Sequence, residues 1–491
     1  MNQPWKQSAF LLVAKNMILL IFCGFISVRV HADETVSAAA SAPAAVAIAP
    51  DAGAGGLYIK IDNANLKKSL MAIPPFQYTG SPTTAKNGVK VGKEVFDIFK
   101  NDMDVSGYFE FVKPEAYLED LTKVGLRPVG TETGGFNFSS WSQIGTEFLV
   151  RVGFRILGNE ITADTYTYYV PQQKLILGKT YRAALTDART LAHTFANDLV
   201  KELTGQRGMF LSRIVTSRST RPQEKEIFLM DWDGANQKQI SSHGSIAQSP
   251  TWSYDGQKIA YSAFAYHPAE KTRNMDLFTY DVITGKRYLV SYRRGINSGA
   301  SFTPDGKNVL LTISNAGNPD IYRMTLDGRS LERITNGKNG DMNVEPAPSP
   351  DGKKIAFSST RSGRPMVYVM NADGSDMKRM TFAGDYNSTP AWSPDGKKIA
   401  FAGLDKGHND VFIMDADGTN MVRLTSAKKP TGKMADNEDP TFSPDGRNIL
   451  FRSNRTGKYQ LYIVTLDGEN ERRITFDAHD YYKPRWSPSF E

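Results

Sequence analysis

The stretch PAWSPDGKKIAFAG at 390–403 is nearly a copy of PAPSPDGKKIAFSS at 346–359. That repetition limits what this chain can fold into more than any other feature, because an internal period sets the architecture before any single residue does. The turn motif occurs as SYDG (253–256), TPDG (303–306), SPDG (349–352), SPDG (393–396) and SPDG (443–446), with a truncated SPSF at 487–490. Successive aspartates lie 50, 46, 44 and 50 residues apart. A second motif, an apolar strand ending in a turn at Asp233-Gly234, Thr284-Gly285, Asp327-Gly328, Asp373-Gly374, Asp417-Gly418 and Asp467-Gly468, alternates with the first. One period then holds four short strands, for example 390–393, 397–403, 410–416 and 422–425. Four strands in roughly 40–50 residues are the mark of a propeller blade, and six copies predict six blades.

The ends of the array predict how it closes. It opens with RIVTSR (213–218), EIFLMDWD (226–233) and KQIS (238–241), strands two to four of a blade without the innermost one. The missing strand reappears at the other end as KPRWSPSF (483–490). The C-terminal strand is therefore expected to complete the first blade, which removes the edges that an open array would leave.

The repeated aspartates have a structural explanation. Proline sets φ at the second turn position, aspartate suits the third, and glycine accepts the left-handed conformation that leads into the hairpin strand. Asp415, Asp417 and Asn420 in DADGTN resemble part of a calcium loop, but position 12 is Ser426, not the bidentate glutamate such a loop needs. No metal site or cofactor is expected. The histidines beyond residue 32, His193, His243, His267, His408 and His479, are scattered, His193 reading as a surface or packing residue of a helix, and no GxSxG elbow is present. The enzyme alternative is a carboxylate-dependent propeller hydrolase acting on cell-wall or sugar substrates, with Glu345, Glu438 and Asp439 as its candidate acids.

Residues 1–32 read as a secretory signal: Lys6 and Lys15, an apolar run at 17–28, and a Val30-His31-Ala32 cleavage site. The only cysteine, Cys23, lies inside it, so the processed chain has no disulfide and no thiol chemistry. Removing Lys6, Lys15 and Arg29 from the 59 basic residues leaves 56 against 52 acidic ones. That balance does not suit nucleic-acid binding. No later apolar run is long enough to span a membrane. The Ala/Pro/Gly-rich segment 33–56 reads as a flexible tether. Residues 57–208 read as a small α/β domain. Its expected strands are at 57–61, 70–76, 147–157, 165–170 and 174–185, with helix faces on Val91, Val95, Ile98 and Phe99 and on Leu191, Phe195, Leu199 and Leu203. Asp187 is expected to cap the last helix and Gly205 to end it. Residues 209–491 form the propeller.

Within a blade the SPDG end hardly varies, while the segments that lead into the next blade do: 241–249, 291–299, 336–345, 382–389, 426–439 and 476–483. They should meet at the mouth of the channel, where loops on a rigid scaffold select a partner. Both signs occur there, Arg293, Arg294 and Lys483 against Glu345, Asp385, Glu438 and Asp439, which suits a protein partner. Asn387, Ser388 and Thr389 read as differing from their counterparts in every other blade.

An α/β domain ending KELTGQRGMFLSRI (201–214), six WSPDGKKIAF-type repeats and a terminal KPRWSPSF together resemble the TolB family of the Tol-Pal system of Gram-negative bacteria. The resemblance implies a small N-terminal α/β domain followed by a six-bladed β-propeller closed by the C-terminal strand. It also implies a periplasmic, monomeric, non-enzymatic protein that binds the Pal lipoprotein at the mouth. The N-terminal segment or α/β domain would engage TolA, with other outer-membrane or peptidoglycan-associated proteins as further partners. The implied role is in outer-membrane integrity and its invagination during cell division. Carried over by position, the Pal-contacting residues are Ile296, Asn297, Ser298, Gly299, Val344, Glu345, Ser388, Thr389, Glu438 and Asp439. Two departures stand out. The tether delays the first strand, and Ala300 replaces the proline that most blades carry, so that mouth loop is expected to sit differently.

Overall fold

The computed structural model describes residues 31–33, 68–82, 85–269, 271–338 and 340–489. The expected signal and tether lie outside them except for His31–Asp33, and so does the expected strand at 57–61. The N-terminal sheet contains β1 (His31–Asp33), β2 (Ser69–Ala72), β3 (Gln77–Tyr78), β4 (Phe109–Phe111), β5 (Phe148–Leu157), β6 (Glu160–Tyr169) and β7 (Lys174–Ala184), in the order β1-β7-β6-β5-β2-β4 with β3 beside β5. β5, β6 and β7 are the expected antiparallel run, although β6 begins five residues before the expected 165. β2 stops at Ala72, short of the expected 76, because Pro74 and Pro75 carry no donor for a ladder. The cleavage expected after Ala32 would fall inside β1, which pairs with β7 from His31↔Arg182 to Asp33↔Thr180.

Helices α1 (Ala85–Ser106), α2 (Phe138–Gln143) and α3 (Ala188–Thr204) complete this domain. Leu191, Phe195, Leu199 and Leu203 are all buried, as their spacing requires, and Phe195 stacks on Phe99 of α1 with ring centroids 4.3 Å apart. Gly205 ends α3 in the left-handed conformation, its N–H reaching the Lys201 carbonyl. Asp187 does not cap it: Leu185–Asp187 forms a 3-10 turn that runs straight into the helix, and the Asp187 side chain makes no capping bond. No helix among the described residues is long and apolar enough to cross a membrane.

From Arg213 onward the chain forms six four-stranded antiparallel sheets. The inner strand of blade one is Tyr481–Trp486, paired with Arg213–Arg221 through Trp486↔Ile214 and Tyr481↔Arg218, so the ring closes as the ends of the array predict. Inner strands of the other blades are Ala247–Trp252, Asn297–Phe302, Asn343–Pro348, Tyr386–Trp392 and Asn437–Phe442. The turn motif works as expected. At 393–396, Lys398 N–H donates to Ser393 Oγ (2.9 Å), and Asp395 Oδ1 accepts from Ser393 Oγ (2.6 Å) and Lys397 N–H (3.0 Å). Gly396 is left-handed at φ 70°. The calcium-like loop is satisfied from within: Asp417 Oδ1 accepts from Thr419, and Asp415 from Lys398 and Asn420.

Antiparallel strand order puts the SPDG and Asp-Gly turns on one face of the disc and the blade-to-blade loops on the other. The α/β domain packs on the turn face of blades one and six. Arg447, which follows the SPDG turn, lies 4.0 Å from the Tyr108 ring centroid, and Arg189 pairs with Asp233 at 2.6 Å. One hydrophobic core runs from Phe99 and Phe195 through Phe210 and Trp232 to Leu450 and Ile463. The mouth loops therefore face away from the α/β domain.

Candidate functional site

Every inner strand carries the same irregularity. One residue of each is left-handed: Ser249, Gly299, Glu345, Thr389, Asp439 and Lys483 all have φ between 47° and 61°. Each marks a register shift against the second strand, as between Val344 and Ala347 or Glu438 and Thr441. A bulge of this kind re-aims a side chain, and here it turns five side chains and Gly299 into one ring around the axis. Gly299 keeps the shared conformation, so Ala300 does not set its loop apart.

Three members of the ring are charged, and they find each other. Blade one lies opposite blade four in a six-membered ring. Lys483 Nζ nevertheless reaches across to Glu345 Oε1 (2.7 Å) and also to Asp439 Oδ1 of neighbouring blade six (2.9 Å). Glu345 Oε2 accepts from Thr389 N–H (2.9 Å) and Ser358 Oγ (3.1 Å). Asp439 Oδ2 lies 2.7 Å from Arg452 Nε, and Arg452 also pairs with Glu438 while lying between the rings of Tyr459 and Tyr482. Burial works against the Asp439 carboxylate, but Lys483 and then Arg452 overcome it and hold its pKa below the ordinary range. Glu345 is lowered in the same way, Lys483 overcoming burial. Burial likewise opposes the Lys483 ammonium, and Asp439 and Glu345 reverse that and raise it. Burial lifts Glu438 despite Arg452 beside it.

This network bears directly on the hydrolase alternative. A glycosidase pair needs one carboxyl that keeps its proton near neutral pH. Glu345 and Asp439 instead share one ammonium that favours their ionised forms, and Glu438, though raised by burial, is paired with Arg452.

Seven of the ten sequence-derived positions sort into cavity wall and loop anchor. Ser388, Thr389, Glu438 and Asp439 come together on a mouth cavity of about 370 Å³, with Tyr386, Asn409 and Lys483. Gly299 and Glu345 line the channel beneath it. Asn297 is fully buried and binds the blade: it accepts from Ser291 Oγ (2.7 Å) and donates to the carbonyls of Met275 and Arg293. Of the remaining three, Ser298 and Val344 are half-buried, and Ile296 is the exposed one. The expectation that Asn387 is special to its blade is corrected by the strand register. Asn387 stands where Asn297, Asn343 and Asn437 stand, six residues before the turn serine or threonine, and like them it is buried and anchors its loop.

Sequence reasoning passed over the apolar rim. Tyr292, Met342, Phe382, Tyr386 and Phe476 are, like Ile296, exposed large side chains in the segments that lead from one blade into the next. Phe382 and Phe476 are 74 % and 73 % exposed, and each lies 5.0 Å from an arginine of the preceding strand, Arg379 and Arg473. The signal was available as RMTF and RITF, an arginine three residues before an aromatic in a loop.

The TolB amino-terminal domain model matches residues 57–175, and the TolB β-propeller domain model matches 200–425 and 385–491. Among curated proteins, the Tol-Pal system protein TolB of Desulfosudis oleivorans is 31 % identical over 278 residues, covering 57 % of this chain and 60 % of that protein. The protein of the same name from Rickettsia prowazekii is 32 % identical over 267 residues, covering 53 % and 55 %. The chain thus spans little more than half the length of these relatives. The crystal structure of TolB from Acinetobacter baumannii superposes with a TM-score of 0.70 at 25 % identity, over 86 % of this chain and 97 % of that one.

Proposed function

This chain belongs to the TolB family, components of the Tol-Pal system, and we propose that the mouth face of its propeller docks the peptidoglycan-associated lipoprotein Pal. The observation that carries this reading is the apolar rim: six exposed large side chains, two of them stacked with arginine, on loops that face away from the α/β domain. Aromatic and arginine side chains are the types enriched at the centres of protein interfaces. In this reading Phe382, Phe476 and Ile296 supply contact area, and the cavity lined by Ser388, Thr389, Glu438 and Asp439 takes a protruding polar group of Pal. Asn297, Ser298, Gly299, Val344 and Glu345 hold the loops in place. The α/β domain or the N-terminal segment engages TolA. The protein acts in the periplasm as a monomeric, non-catalytic link in outer-membrane integrity and invagination, with other outer-membrane or peptidoglycan-associated proteins as further partners.

The test is calorimetric titration of the purified chain with the periplasmic domain of Pal. The double substitution Phe382→Asp, Phe476→Asp should weaken binding about tenfold or more, while exposed positions like these leave the melting temperature within about 2 °C. Unchanged affinity in a folded double variant would place the Pal site elsewhere.

A further inference from the structure

In an array of near-copies, a channel residue unlike its five equivalents is not required by the fold. Two residues beyond the ionic ring, the inner strands present Thr251, Ser301, Ala347, Ala391, Thr441 and Arg485. Five of these are small, and the sixth is a guanidinium. It stands in a cavity of about 460 Å³ whose inner end is the Lys483–Glu345 bridge. The outer rim, on the turn face, is formed by Pro350, Pro394, Pro444, Pro488 and Tyr254. No residue of 68–208 lines this vestibule, so the α/β domain leaves it open. Two tryptophans of its wall are fixed: Trp392 Nε1 donates to the Ala347 carbonyl (3.0 Å) and Trp486 Nε1 to Ser212 Oγ (2.7 Å).

Lys483 and Arg452 both meet carboxylates. Arg485 does not: its guanidinium donates to the carbonyl of its own neighbour Pro484 (3.0 Å), and no carboxylate among the described residues lies within ion-pair distance of it. Arg485 is half-buried, and a cation partly withdrawn from water with no carboxylate partner carries a desolvation cost that a bound anion would offset. Burial accordingly pulls the Arg485 pKa down against the more distant charges of Asp439 and Glu345. A volume of this size, whose wall mixes aromatic and proline surface with serine and threonine and whose one cation without a carboxylate partner is Arg485, has the build of a small-ligand site.

We propose that the turn-face vestibule binds a carboxylate attached to an apolar body, with the carboxylate on Arg485 and the body against Trp392 and Trp486. One guanidinium matches one carboxylate in paired hydrogen bonds. A dianion fits less well, because Glu345 and Asp439 repel the second charge from the inner end. The carboxylate could belong to a free aromatic acid or to the C-terminus of a peptide.

The test uses the full chain and four probes: 3-phenylpropionate, its amide, the tripeptide Ala-Ala-Phe with a free C-terminus, and the same tripeptide amidated. Saturable tryptophan-fluorescence titrations are expected for a free carboxylate, with each amide about tenfold weaker or worse, the share of a charge-assisted hydrogen bond. Tighter binding of the peptide identifies a chain terminus as the source, and tighter binding of the free acid a small metabolite. Arg485→Ala, which installs the residue of blades four and five at that position, should lose the discrimination between acid and amide. Arg485→Lys should keep part of it. Equal binding of acid and amide, no saturable binding by either acid, or an unaltered Arg485→Ala variant overturns the proposal. The mouth lies on the opposite face, so Pal titration of the same variants keeps this outcome separate from the docking reading.

Discussion

At the scale of single residues, the repeat separates side chains that build blades from side chains that differ for another purpose. Lys483 is of the second kind, yet its immediate effect is structural, because its ammonium joins blade one to blade four and blade six. Lys483→Met would leave Glu345 and Asp439 facing each other, with Arg452 and the more distant Arg485 to answer Asp439. Breaking a buried pair costs about 3–5 kcal/mol. Lys483 and Glu345 each keep about a quarter of their side-chain surface exposed, so we expect about 2–3 kcal/mol, read from urea midpoints at pH 7. Adding Glu345→Gln to that variant should recover part of the loss. A single variant within about 0.5 kcal/mol of the parent would show that the bridge contributes nothing. The ring itself was only half legible. Glutamate, aspartate and lysine at one repeat position were visible, and Gly299 among them hinted at a left-handed backbone. What could not be read is that a bulge turns the five side chains inward, because a bulge depends on cross-strand register.

At the scale of elements, α1 and α3 are joined by more than apolar packing. Asp102 is fully buried, and its Oδ2 lies 2.7 Å from His193 Nδ1, with Trp232 of blade one edge-on to the imidazole. Burial pushes the Asp102 pKa up to about 6, against the opposing pull of His193. His193 is raised as well: burial would lower it, but the charge and hydrogen bond of Asp102 outweigh that. Asp233 and Arg189 also act on the pair, one reinforcing the proton and one opposing it. Both folded-state values lie above their unfolded ones, so the folded chain holds more protons from about pH 4 upward. The stabilisation is greatest at the acid end of that window. It declines as pH rises through about 6 and on through the raised histidine value. Asp102→Asn should flatten the difference between melting temperatures at pH 5 and pH 8, and an unchanged difference would locate the pH dependence elsewhere. Element by element, the apolar spacing of α3 was legible, since Leu191, Phe195, Leu199 and Leu203 are its buried face. The start of that helix was not, because a 3-10 turn satisfies the chain where Asp187 would otherwise have capped it. His193 read as a surface or packing residue, and it is the packing residue, but its partner Asp102 lies 91 positions away, beyond any local pattern.

At the scale of the whole molecule, the number of blades and the origin of the closing strand were legible because both are properties of a period. The mouth was less so. Variation between blades drew attention to Asn387, and charge to Glu345, but these face the blade and the channel, while the exposed surface is carried by Phe382 and Phe476 in loops that no repeat constrains. Closure is where the long-range architecture can be tested most directly. Tyr481–Trp486 supplies the inner strand of blade one, and the bonds around it tie the last residues to the first: Ser487 N–H to the Arg213 carbonyl (2.8 Å), and Arg213 N–H to Ser487 Oγ (2.8 Å). The same strand brings Lys483 and Arg485 to the channel, and Tyr481 and Trp486 to the core shared with the α/β domain. A chain ending at Asp480 would leave a three-stranded blade with an unpaired edge at the axis and would remove the bridge across the ring. We expect it to lose the cooperative melting transition of the full chain and to bind a dye for exposed apolar surface. A peptide of residues 480–489 added in trans should restore at least part of the transition, which a general loss of solubility would not allow. Deleting 33–56 instead should leave the transition in place. If the shortened chain melts cooperatively within about 2 °C of the parent, the ring does not depend on its last strand, and the blades must be stable as an open array.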